Sequence, residues 1–214
     1  MKATIDAYRN LLGEIDGWFE RCLAVAPPGL LACRRGCSAC CRGLFDITLL
    51  DAFLLREGFA KLPAATREQV LARCRPRLLE LQRRWPQLQP PYLLNPLPDD
   101  SWTAMPEDDV TTCPLLGANG LCPIYPFRPM TCRLHGLPII DFSGEDFTSA
   151  VCTLHAGELN GLVPRGPFRD LFTREIVLLR AFTRQLTGKP TSEADTFIPL
   201  ALLADYGCFV RCEA

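Results

Sequence analysis

Histidine is nearly absent from this chain, with two in 214 residues, and the catalytic patterns built on it are missing too. There is no H-E-x-x-H zinc helix, no serine–histidine–aspartate arrangement and no phosphate loop, so hydrolase and kinase readings have no support. A glycine-rich strand-turn-helix fingerprint for a nucleotide-like cofactor is also lacking. No stretch approaches the roughly 20 consecutive apolar residues of a membrane span. Charge is balanced, 23 Lys and Arg against 24 Asp and Glu for a formal net charge of -1, which argues against a partner that is nucleic acid or anionic membrane. The first ten residues show no apolar signal region or small-residue cleavage site, which points to the cytoplasm. Internal repeats and low-complexity tracts are absent.

Cysteine is what the chain has in excess. Four of its twelve cysteines fall within nine residues, Cys33-Arg34-Arg35-Gly36-Cys37-Ser38-Ala39-Cys40-Cys41. A buried structural cysteine acts as a small hydrophobe and scatters along apolar faces, whereas this cluster sits among arginines and a glycine. In a reducing cytosol such clusters serve as metal ligands or catalytic thiols rather than disulfides. The C-x3-C-x2-C spacing lets several thiolates converge, and Gly36 can supply the positive φ that a tight knuckle needs. Neighbouring side chains usually diverge, so Cys40 and Cys41 fit two centres, or one larger cluster, more easily than one tetrahedral zinc. The alternative is that one of the pair is a spare thiol.

A second cysteine-rich region runs from Cys113 to Cys152 and includes Cys113-Pro114-Leu115-Leu116, Cys122-Pro123-Ile124-Tyr125 and Arg128-Pro129-Met130-Thr131-Cys132-Arg133. Few regular elements fit there, so ligand bonds are expected to hold it. His135 and His155 each follow a cysteine by three positions and are read as partly buried residues, or as hydrogen-bond partners of the ligands, rather than as ligands. Cys208 and Cys212 form a terminal pair read as inert, and Cys22 and Cys74 lie on apolar helical faces as core residues.

The periodicity around these regions predicts helices. One spans Ile5 to Leu23, with apolar residues every three or four positions, and stops at Pro27-Pro28-Gly29. Leu44–Ile47 reads as a short extended segment. Thr48 then caps a second helix, with Asp51 three residues on, that runs to about Lys61. A third helix is expected from Ala64 to Leu88, kinked or divided at Pro76. Residues 89–112 form an irregular proline-rich connection, and Leu137–Phe142 a short strand. Helices follow from Phe168 to Gly188 and from Ser192 to Tyr206. The fold expected is mainly α, an irregular metal-stabilised cysteine-rich core pinned between helices, with at most short strands. It divides into an N-terminal helix (1–28), a cysteine-cluster domain with inserted helices (29–156) and a C-terminal helical segment packed on it (157–214), making one globular unit. From Lys61 to Trp85 seven cations face two acids, and five acids fall between Asp99 and Asp109. These segments either face each other, offer a docking surface for a protein partner, or are a solvated helix face and an acidic loop; the last is preferred.

The early C-x3-C-x2-C-C, with the later C-P-L-L, C-x-I-Y-x-x-R-P-x-x-C-R and one further cysteine, resembles the YkgJ-type cysteine-cluster family of zinc- or iron-chelating CxxCxxCC domains. The resemblance covers about Cys33 to Cys152. It implies Cys33, Cys37, Cys40, Cys41, Cys113, Cys122, Cys132 and Cys152 as metal ligands, with Tyr125, Arg128, Pro129 and Arg133 as supporting positions around the bound group. A tetrathiolate zinc site or a 4Fe-4S cluster carries a net charge near -2, so Arg34, Arg35, Arg42, Arg128 and Arg133 are candidate donors to sulfur. All-sulfur ligation fits zinc and iron–sulfur alike. The leading reading is a cytosolic metal-binding protein. One alternative is an enzyme using S-adenosylmethionine, since a flagellin lysine N-methylase is similar to this family across the cysteine region. A radical S-adenosylmethionine enzyme shares the C-x3-C-x2-C spacing but needs alternating strands and helices that are not predicted here. The remaining alternative is a metal or electron carrier or redox sensor.

Overall fold

Helix α1 (Lys2–Val25) turns Tyr8, Leu11, Leu12, Ile15, Trp18 and Cys22 inward at three- and four-residue intervals, the stripe that an amphipathic helix buries. The computed structural model describes residues 1–34, 36–97, 109–137, 139–140, 152, 162–164 and 166–207. Strand β1 (Asp46–Thr48) leads into α2 (Leu49–Ala60), where the Thr48 hydroxyl accepts a bond from the Asp51 N–H, the cap expected from sequence. Helix α2 buries Leu49, Leu50, Ala52, Leu54, Leu55 and Phe59. An element apolar on so many sides belongs at the centre.

Helix α3 (Ala64–Arg84) is one continuous helix. Pro76 does not divide it, and it ends at Arg84 rather than near Leu88, because Trp85 and Leu88 leave the helix to build a second apolar cluster with Leu81, Leu94, Leu97, Phe197 and Leu200. A proline removes one backbone hydrogen bond; Val70, Cys74 and Leu81, buried on both sides of it, hold the helix in place. A 3-10 turn (Tyr125–Phe127) and the short α4 (Met130–Leu134) follow, then β2 (Ile139–Ile140), β3 (Gly166–Pro167) and α5 (Phe168–Thr187). Helix α5 stops at Gly188, whose φ is +73° and whose N–H bonds the Arg184 carbonyl.

The helix expected from Ser192 to Tyr206 is instead strand β4 (Asp195–Phe197) followed by α6 (Ile198–Leu203). Strand β4 pairs antiparallel with β1, Asp46 opposite Phe197 and Thr48 opposite Asp195, and β2 pairs in parallel with β3. Phe197 and Thr196 suit a pleated, buried position, and Pro199 starts the helix only after the strand is complete. The expected Leu137–Phe142 strand is represented by Ile139–Ile140; Phe142 lies outside the described residues. The fold is mainly helical, with two two-stranded sheets among the described residues.

Helix α1 packs on α5 and α4, α3 packs on α6, and α2 touches α1, α5 and α6. One apolar cluster gathers Tyr8 and Ile15 of α1, Leu50 and Leu55 of α2, Val70 of α3, Met130 of α4, Phe182 of α5 and Ala201 of α6. Inside it sits a polar network. The Tyr8 hydroxyl lies 2.8 Å from both Asp51 Oδ1 and Glu175 Oε1, and the Thr48 hydroxyl donates to Glu175 Oε1 at 3.0 Å. Tyr8 has one hydroxyl proton for two carboxyl groups, so the second contact requires a proton on a carboxyl. Burial, then the charge of Glu175, pushes Asp51 well above its ordinary range, and burial raises Glu175.

Candidate metal centre

The nonapeptide is folded by two tight turns. Cys37 N–H donates to the Arg34 carbonyl at 2.9 Å and Cys41 N–H to the Ser38 carbonyl at 3.0 Å. Gly36 has a φ of +92°, which a side chain would disfavour. Immediately afterwards the chain pairs with the second cysteine region: Cys113 N–H donates to the Cys41 carbonyl at 2.9 Å, Arg42 bridges Thr112, and Gly43 N–H donates to the Thr111 carbonyl at 2.8 Å. Backbone pairing therefore fixes Cys41 beside Cys113.

The second region forms its own loops. Gly117 N–H bonds the Leu121 carbonyl at 2.9 Å, closing a turn that delivers Cys122. The N–H groups of Leu115 and Leu116 point at the Cys113 sulfur and that of Ile124 at the Cys122 sulfur, each favouring thiolate. Such amide-to-sulfur bonds are common around metal-bound thiolates. Cys132 lies on α4, whose first amide, that of Met130, donates to Asp51 Oδ1 at 3.1 Å and to Oδ2 at 3.2 Å. The buried polar network thus holds the helix that carries this thiol.

Among the described residues no three His, Cys, Asp or Glu side chains are already drawn to metal-ion geometry. The thiols nonetheless stand close enough to act on one another's charge. Cys33 responds to Cys40, Cys37 and Cys152; Cys41 responds to Cys113, Cys132 and Cys122. Burial pushes the Cys33 thiol up to about 11, with Cys40 the next cause, and burial likewise raises Cys113 to about 11. Cys40 donates to Cys41, which raises the first thiol and lowers the second. Burial, then the charge of Cys113, raises Cys132.

Arg128 lies near cysteines of both regions. Its Nη2 donates to Asp16 Oδ1 at 3.0 Å, its guanidinium stacks 3.9 Å over the Tyr125 ring, and its charge favours thiolate at Cys33, Cys40 and Cys122. Its Nε is buried without a hydrogen-bond partner among the described residues. An orphaned cationic donor beside thiols is what a negatively charged metal–thiolate group would satisfy, so these residues fit zinc or an iron–sulfur cluster. Arg133, 6% exposed, spends its donors elsewhere, on the Arg128 carbonyl at 3.0 Å, the Pro126 carbonyl at 2.7 Å and the Asp16 carboxylate. It braces the turn that presents Arg128. Arg34 and Arg42 are exposed, and Arg35 lies outside the described residues.

Cys22 and Cys74 are buried core thiols, as the helical faces implied; Cys22 donates to the Pro164 carbonyl at 3.3 Å. The ring of His135 meets that of Phe45 edge-on at 6.3 Å. His155, Cys208, Cys212 and the acids Asp99, Asp100, Glu107 and Asp108 lie outside the described residues. Of the acidic segment, Asp109 pairs with Arg77 of the basic helix. Sequence reasoning missed Asp16, Tyr8 and Glu175. Glu175 had a signal: it falls four residues from both Leu171 and Leu179, on the apolar stripe of its helix.

Residues 32–147 match the CxxCxxCC family, whose description reads "Putative zinc- or iron-chelating domain". No curated protein and no solved structure matches the chain. The match takes in seven of the eight cysteines singled out for metal and stops short of Cys152. Covering more than half of the 214 residues and both interlocked arms, it settles the family: this chain belongs to the CxxCxxCC family.

Proposed function

We propose that this chain is a metal-binding protein that holds zinc or an iron–sulfur cluster through Cys33, Cys37, Cys40, Cys41, Cys113, Cys122, Cys132 and Cys152. The observation that carries this reading is the orphaned Arg128 Nε, buried where thiols from both cysteine regions feel its charge. A thiolate centre would bond that donor and release the thiol protons. Clustered cysteines serve as metal ligands in a reducing compartment, and the reading places the chain in the cytoplasm.

Metal analysis and visible absorption of anaerobically purified protein test the reading. Zinc without colour, or iron with sulfide and charge-transfer bands, supports it. Folded, colourless, metal-free protein overturns it.

A further inference from the structure

Three cations of the basic stretch converge at the end of α3. Arg77, Arg83 and Arg84 line a cavity of about 610 Å³ with Leu44, Val110 and Thr111, a size in the range of binding sites. Thr111 accepts from Gly43 in the ladder that joins the two cysteine regions, so the cavity backs onto that ladder. Arg77 shows what the wall recognises. Its Nη1 donates to Glu80 Oε2 at 2.6 Å and its Nη2 to the Asp109 carboxylate, while its Nε is buried without a hydrogen-bond partner among the described residues. The planar fork of an arginine suits carboxylates. Three arginines against two acids leave the lining net cationic, although the whole chain carries -1. Apolar surface adjoins this charge: Val110 is 70% exposed, and Leu79, whose carbonyl accepts from Arg83 Nε at 3.3 Å, is exposed too.

We propose that this cavity docks an acidic peptide of a partner protein, with its carboxylates on the exposed Arg83 and Arg84 and an apolar side chain against Leu44 and Val110. The inference goes beyond the metal-binding reading and does not depend on it. Charge complementarity selects an acidic partner, and the exposed Val110 selects one that also carries an apolar anchor. Nucleic acid fits less well. Glu80 and Asp109 in the lining repel phosphates, and Trp85, 4% exposed with the Arg84 guanidinium 5.2 Å from its ring centre, has no open face on which a base could stack. The acids that Arg77 already holds leave room for exchange on one side only: Asp109 is buried in its pair, whereas Glu80 is exposed and held weakly enough for a ligand carboxylate to displace it.

Fluorescence anisotropy of a labelled peptide of mixed glutamate and leucine, titrated with the full chain as purified, tests the site. Saturable binding that weakens with salt is expected. Arg83→Glu should weaken it about tenfold, by setting a like charge against the peptide, and Val110→Ser about fivefold, by removing the apolar contact. The same peptide with serine for leucine should bind about tenfold more weakly to the wild type, a comparison that holds even if a variant fails to fold. The proposal is overturned by an absence of saturable binding, by equal binding of the leucine and serine peptides, by wild-type affinity in a folded Arg83→Glu chain, or by a single-stranded RNA oligonucleotide that binds more tightly than the peptide and displaces it.

Discussion

The backbone N–H of Cys113 donates to the carbonyl oxygen of Cys41 at 2.9 Å. This bond joins two cysteine regions far apart in sequence before any sulfur is engaged, and Gly43 extends the pairing. Gly43 has a φ of +82°, and a Cβ there would stand 3.1 Å from the Asp109 carbonyl oxygen. Gly43→Ala is therefore expected to cost about 1–2 kcal/mol and to speed metal loss to a chelator, although no sulfur changes. Release at the wild-type rate contradicts the idea that this ladder sets the thiol geometry.

Arg133→Lys tests the brace beneath Arg128. A lysine ammonium cannot reproduce the planar fork that reaches Asp16 and two carbonyls. A loss of about 2–3 kcal/mol is expected from the buried carbonyls left without donors, measured by urea unfolding. A change under about 0.5 kcal/mol, the size expected of an ordinary surface substitution, sinks the assignment.

Tyr8→Phe removes the hydroxyl between Asp51 and Glu175. Two buried carboxyl groups then lose their common partner, and about 2 kcal/mol of stability goes with it. Because Asp51 also holds the Met130 amide of α4, thiol-reagent access to Cys132 should rise in the same variant. Unchanged stability and unchanged access together refute the link.

Asp195 gives a pH dependence with a defined sign. Burial raises its carboxyl to about 6, opposed by the bond from Asn95 Nδ2 at 3.2 Å. The folded chain keeps this proton after the unfolded chain has lost it, so the stability that Asp195 contributes is full below about pH 4 and is lost as pH rises through about 6. Relative to Asp195→Asn, whose side chain does not titrate, the wild type should weaken by about 2 kcal/mol between pH 4 and 7, a figure reduced for its partial exposure. A difference that does not vary with pH contradicts the raised carboxyl.

Stripping the metal should separate two classes of thiol. The half-buried Cys33, Cys37, Cys40, Cys41, Cys113, Cys122, Cys132 and Cys152 become alkylated quickly, while Cys22 and Cys74, fully buried under α1 and α3, stay protected until the core opens. Site-resolved mass spectrometry of the alkylated chain distinguishes them. Equal labelling of all ten before unfolding shows that the helical core does not survive without metal.

The parts of the fold written in local signals were legible. The stripe from Tyr8 to Cys22, the Thr48 cap and the Gly188 stop each act within a few residues of chain. What misled was tertiary. Pro76 looks like a break until Val70, Cys74 and Leu81 are seen packed on both sides of it, and Asp195–Phe197 looks helical until β1 is available to pair with it. The cysteine regions announced themselves by density and spacing. Their surroundings did not, because Asp16 reaches Arg128, and Tyr8 reaches Asp51, from a helix outside the motif, and single polar residues on a long helix carry no pattern.

Gly58 of α2 faces the ring of Phe127 so closely that a Cβ would come within 2.5 Å of it. Phe127 ends the 3-10 turn that lies between Cys122 and Cys132, so the depth at which this turn seats on α2 is set by a single hydrogen atom. Positions 58 and 127 must then change as a pair. Enlargement at one is tolerable only with reduction at the other, and a methyl group on α2 is enough to throw the loop between two thiols out of register.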